Sequence, residues 1–201
     1  NNENAILFGT QAALEFCTLY PGYTPRFKAN YECHMASTEI FPGLHSRRCG
    51  DRFLIRQSHD NVTAMLIGGW FFKSHYALKV FNWGATHSWC FNVAEPEKYD
   101  VKCQLQGGTI AIAHYAVGKT PSLWYVIWLA GGLINKGQLN IADFVIKFLR
   151  GVLPSRPLWE RLTLSLAIAI HEKRRGHRTA WLGYYRPTHP LRRFIESDGQ
   201  I

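Results

Sequence analysis

Apolar residues along this chain come in short runs broken by Gly, Pro, Asn and Asp, and two periods compete within them. Residues 162–170 read Leu-Thr-Leu-Ser-Leu-Ala-Ile-Ala-Ile, so Leu162, Leu164, Leu166, Ile168 and Ile170 alternate with small or polar residues. That is the period of a strand, although Ala and Leu are good helix formers. On the strand reading, HEKRRGHR (171–178) is a hairpin loop and TAWLGYY (179–185) its return strand. The segments DRFLIRQ, VTAMLIGGWFF, HYALKVFNW, HSWCFNV, YDVKCQL, GTIAIAHYAVG and SLWYVIWLAGG are rich in β-branched or aromatic residues. Each is bounded by turn-forming residues, and together they predict a strand-rich middle.

Helical signals are fewer. Thr10 followed by QAALEFCTLY predicts a short helix ended by PGYTPR. A second helix begins near Asn140, with Asp143 three residues on in a capping-box-like start. There Ile141, Phe144, Val145, Phe148 and Leu149 follow the i, i+3, i+4 spacing, and Gly151 and Pro154 close the run. PLWERL adds a turn of helix. The pattern predicts an α+β fold, predominantly antiparallel β-sheet with two or three helices, in a single domain over 1–201. Its parts are a helix- and loop-rich 1–50, a strand-rich core at 51–131, and a helix with a basic hairpin at 138–201.

Composition supports a folded chain, with 47% apolar and 18% charged residues. The longest apolar stretch, 121–134, is about fourteen residues, short of the roughly twenty that cross a bilayer. No secretory signal or lipidation motif is visible. Compartment stays open, because five cysteines in 201 residues are too few for a disulfide scaffold.

Charge changes the picture more. Residues 1–100 hold nine Lys/Arg against nine Asp/Glu, whereas 101–201 hold fourteen against five. The whole formal excess of +9 therefore lies in the second half, and 147–193 carry eleven Lys/Arg against Glu160 and Glu172 alone. A localised surplus suits nucleic acid, an anionic membrane surface or another polyanion. Within it, Lys173, Arg174, Arg175, Arg178, Arg186, Arg192 and Arg193 interleave with Trp181, Tyr184 and Tyr185. Phosphate contacts from the cations and base stacking on the aromatics are the two ingredients of single-strand binding. The leading expectation is a non-enzymatic protein binding RNA or single strands, with no cofactor. The same basic residues beside Trp and Leu also suit a matrix-like assembly protein at a membrane surface.

Enzymatic readings stand beside it. Cys17 with His114 has the order of a thiol hydrolase, and Cys90 beside His87 offers another nucleophile. His75 and His87, with Lys79 or Lys119, could act as acid, base and charge stabiliser in a metal-independent nuclease. Cys17, Cys33, His45 and Cys49 carry zinc-ligand chemistry but lack the usual close first pair. WLAGGLINKG (128–137) is partly similar to the LAGLIDADG motif of homing endonucleases, but Lys136 stands where that motif needs a metal-binding carboxylate. A lysine there excludes that nuclease chemistry.

Overall fold

The computed structural model describes residues 5–47, 57–91, 105–135 and 141–175. Among these, eight α-helices and one small β-hairpin account for the regular structure. They are α1 (Ala5–Leu19), α2 (Thr24–Thr38), β1 (Glu39–Phe41), β2 (Leu44–His45), α3 (His59–Phe71), α4 (Tyr76–Thr86), α5 (Gly107–Ala116), α6 (Leu123–Ile134), α7 (Ala142–Val152) and α8 (Leu158–Arg175). Single 3-10 turns at Pro21–Tyr23 and Leu153–Ser155 lead into α2 and out of α7. The expected α+β fold with a predominant antiparallel sheet is overturned, because the only sheet among the described residues is the two-stranded β1–β2 hairpin.

The reason is specific to each segment. VTAMLIGGWFF belongs to α3, whose residues from Asn61 to Gly69 are all buried. A helix buried all round shows no polar face, so the 3.6-residue period has nothing to contrast with. Its start is nevertheless well built. Ser58 caps it, with extended backbone and a hydroxyl that accepts from the Asn61 N–H at 3.2 Å, and Asp60 lies in the first turn. GTIAIAHYAVG becomes α5 for the same reason, with Ile110 through Ala113 buried. HYALKVFNW forms α4 and SLWYVIWLAGG supplies α6. The return strand TAWLGYY and most of DRFLIRQ and YDVKCQL lie outside the described residues, while 87–91 of HSWCFNV form a turn and an isolated bridge instead of a strand.

The chain forms two compact units, 1–132 and 133–201. In the first, α3 is central and packs on α1, α4 and α5, while α2 packs on α1. Val62, Ala64, Leu66 and Ile67 of α3 are fully buried there. Gly69 permits the close α3–α4 approach, since a Cβ on it would come within 2.8 Å of the Ala77 backbone nitrogen. The β1–β2 hairpin turns at Gly43 with φ of +87°, a conformation that favours glycine. It is fastened to α4 by the Glu39–Lys79 ion pair at 3.0 Å and by the stacking of Phe41 on Trp83.

In the second unit α7 and α8 form a helical hairpin across the Leu153–Ser155 turn. Phe144, Val145, Phe148 and Leu149 are buried, as the helical spacing predicts. The alternation over 162–170 is not a strand. Leu164, Ala167 and Ile168 are buried and Leu162 and Leu166 exposed, the spacing of a helix that carries apolar residues on almost every side. The expected basic hairpin is therefore replaced by one helix running on through Lys173, Arg174 and Arg175.

Candidate functional site

The most unusual surface of the C-terminal unit is the outer side of α8. Leu158, Leu162 and Leu166, spaced by four, are 63%, 62% and 63% exposed, and Trp159 beside them is also exposed. Four residues advance 400°, so the three leucines form one gently drifting stripe along the helix. Exposed leucines at three successive turns are a patch, not scatter. The helix ends in Lys173-Arg174-Arg175, with Lys173 exposed at the end of the stripe.

Beside the stripe, a groove of about 430 Å³ runs between the α7–α8 turn and α8. Arg150, Arg161, Ser165 and Glu172 supply its polar groups. Arg150 is committed to an ion pair with Glu172.

The basic residues divide once their partners are seen. Arg174 donates from Nη1 to the Ile134 carbonyl at 2.7 Å, and His171 donates from Nδ1 to the Leu133 carbonyl at 2.8 Å. These are carbonyls of the last turn of α6, which lack helical partners and carry the negative end of its dipole. His171 Nε2 lies 3.5 Å from Asp143 Oδ1 in the first turn of α7. Arg174 is thus part of the scaffold, and Lys173 faces solvent. Arg175 is in α8, while Arg178, Trp181, Tyr184, Arg186, Arg192 and Arg193 lie outside the described residues.

The thiol and imidazole candidates stand apart. Cys17 is buried in the last turn of α1, where burial pushes its thiol pKa up against the lowering effect of a hydrogen bond with Thr24. A helix C-terminus also disfavours a thiolate. His114 sits instead in an aromatic cluster, 5.1 Å from Phe81, 5.6 Å from Trp89 and 6.1 Å from Tyr125 between ring centres. Its Nδ1 donates to the Ile110 carbonyl at 2.9 Å. Ser88 and Trp89 have φ of +52° and +61°, so the turn that seats Trp89 there is strained. Cys90 is disulfide-bonded, which removes it as a nucleophile.

His75 and His87 are the residues flanking the two ends of α4, twelve positions apart, and so are separated by about 18 Å. They cannot serve one reacting centre. His87 stacks on Trp83 at 3.6 Å, His75 lies against Tyr76, Lys79 pairs with Glu39, and Lys119 lies 4.3 Å from the centre of the Phe81 ring. Of the zinc candidates, Cys33 is exposed on α2, His45 is buried on β2, and Cys49 lies outside the described residues. No group of three or more His, Cys, Asp or Glu among the described residues is placed to hold a metal ion.

One titratable pair escaped the sequence reading. At the start of α3, His59 Nδ1 accepts from the Gln106 N–H at 3.2 Å, joining the N-terminal ends of α3 and α5. Burial lowers the His59 pKa and raises that of Asp60 beside it, moving both toward their neutral forms.

No family model, curated protein or solved structure matches the chain. Its function is therefore argued from its own surfaces. The leucine stripe was missed because it was read with the wrong period. Counted by four instead of two, Leu158, Leu162 and Leu166 fall on one face.

Proposed function

We propose that this protein docks its C-terminal unit on an anionic membrane surface through α8, with the leucine stripe facing the acyl region and the basic end facing the headgroups. The observation that carries this reading is the exposure of Leu158, Leu162 and Leu166 on the helix that ends in Lys173-Arg174-Arg175. An apolar face with a basic flank is the pattern of interfacial helices. No helix among the described residues is long and apolar enough to cross a membrane, so the contact proposed is peripheral.

Magnitudes favour lipid over nucleic acid. A leucine contributes about 1.5–3 kcal/mol when fully buried, and a basic residue near an anionic surface about 1 kcal/mol. Three leucines therefore dominate the balance, and nucleic acid gives them nothing to bury against. RNA binding is supported by the surplus of positive charge and by Trp181, Tyr184 and Tyr185 interleaved with it, which lie outside the described residues.

Co-sedimentation with vesicles tests the reading. The protein should pellet with phosphatidylcholine vesicles containing phosphatidylglycerol and much less with phosphatidylcholine alone. A Leu162→Asp, Leu166→Asp variant should lose binding, whereas Lys173→Gln should weaken it about fivefold, the equivalent of about 1 kcal/mol. If the protein ignores both vesicle types but binds poly(U) equally well with and without the leucine substitutions, the nucleic-acid reading replaces this one.

A further inference from the structure

A cavity of about 230 Å³ opens between α1 and α2 in the N-terminal unit. Ile6, Phe27 and Phe72 give it apolar walls, Asn30 and His34 supply polar groups, and Gly9 forms part of its lining. None of the ten lining residues is Lys, Arg, Asp or Glu. Burial lowers the His34 pKa, so its imidazole is neutral at pH 7. Tyr31 also reaches the cavity, but its hydroxyl is already donating to the Met65 carbonyl at 2.6 Å. The His34 ring, by contrast, makes no hydrogen bond to the described residues, so it has a donor and an acceptor to offer.

We propose that this cavity binds a small uncharged aromatic molecule bearing one hydrogen-bonding group, of the size of phenol or indole. Size, charge and wall chemistry each narrow the choice. A dry cavity of about 150 Å³ accommodates benzene, so this one has room for a ring with a polar substituent or a fused second ring. The uncharged lining would leave an ionic ligand desolvated and unpaired, which disfavours carboxylates and amines. The rings of Phe27 and Phe72 suit an aromatic guest, and His34 with Asn30 selects one that can hydrogen-bond.

Gly9 provides a clean way to close the site. A Cβ there would meet nothing within 4 Å, so a larger side chain enters open space. Gly9 is also inside α1, where leucine is the better helix former. Gly9→Leu should therefore keep or raise the unfolding temperature while filling the cavity.

Calorimetric titration of the whole chain with indole, phenol and benzene tests the site. The unmodified protein should give saturable heats with indole and phenol, and Gly9→Leu should weaken both at least tenfold. His34→Leu should weaken phenol at least fivefold and leave benzene unchanged, which separates a hydrogen-bonding site from a merely apolar hole. Absence of saturable heat with indole and phenol on the unmodified protein overturns the proposal, as does Gly9→Leu binding like the parent. Should Gly9→Leu fail to fold, the phenol-to-benzene comparison on His34→Leu decides the matter alone.

Discussion

The imidazole of His171 on α8 donates a hydrogen bond of 2.8 Å to the carbonyl of Leu133 in the last turn of α6. Both His171 and Leu133 are buried, so the carbonyl has no ready access to water as a substitute partner. Replacing His171 with Leu leaves that oxygen unsatisfied and should cost about 1–3 kcal/mol. Arg174→Gln, at an exposed position on the neighbouring carbonyl, should cost less than about 1 kcal/mol. Urea unfolding followed by circular dichroism checks both, and equal costs for the two variants would refute the distinction. Because Arg174 has this capping role, Lys173 is the cleaner position at which to vary charge.

His45 makes stability depend on pH. Its Nδ1 donates to the Met35 carbonyl at 3.1 Å, and burial lowers its pKa to about 4 despite nearby Glu39. In the unfolded chain a histidine titrates near 6.5. Between those values the unfolded state binds the extra proton, so stability rises with pH across the window. The contribution is complete above about pH 6.5 and is lost as pH falls toward 4, amounting to about 3 kcal/mol. His34 and His59, also lowered by burial, act in the same direction. Urea midpoints at pH 7 and pH 4.5 should differ strongly in the parent and less in His45→Gln.

Gly43 holds the hairpin against α4 at van der Waals contact. A Cβ there would lie 2.1 Å from the Lys79 carbonyl oxygen, and the backbone φ of +87° adds strain for any other residue. Gly43→Ala should destabilise the protein by more than about 2 kcal/mol. The Glu39 carboxylate beside it behaves differently. Burial raises its pKa, but Lys79 and the Gly43 N–H outweigh that and leave it lowered. Since this ion pair is partly exposed, Glu39→Gln should cost less than about 1 kcal/mol. Thermal melts of the two variants should therefore separate clearly.

Thiol reactivity should follow burial and bonding. Cys33 is exposed, Cys17 is buried with a raised pKa, and Cys90 is disulfide-bonded. Native iodoacetamide labelling read by peptide mass spectrometry should modify Cys33 first and Cys17 only slowly. Cys90 should label only after reduction. Rapid native labelling of Cys17 would contradict its placement in the core.

The sequence by itself determined the helices with one buried face and the location of the charge. In α7, Phe144, Val145, Phe148 and Leu149 repeat with helical spacing because its other side is less buried, with Asp143 and Lys147 half-buried and Arg150 exposed there. The later part of α1, from Gln11 to Leu19, and the PLWERL turn of α8 were legible on similar grounds, although α1 begins at Ala5 and not at the expected Thr10. The surplus of basic residues after residue 147 needs only counting. Tertiary structure decided the rest. α3 and α5 are enclosed by other helices, so their sequences carry no amphipathic contrast, and their β-branched and aromatic residues imitate strands. In α8 leucines occupy both the buried and the exposed side, and the chance alternation from Leu162 to Ile170 concealed a four-residue repeat. Which of those leucines face outward, and that Arg174 caps a carbonyl while Lys173 stays in water, depends on where Leu133, Ile134 and α7 lie against α8 within the C-terminal unit. Burial is a property of the assembled neighbours, and a linear pattern records it only when one side of an element is left to solvent.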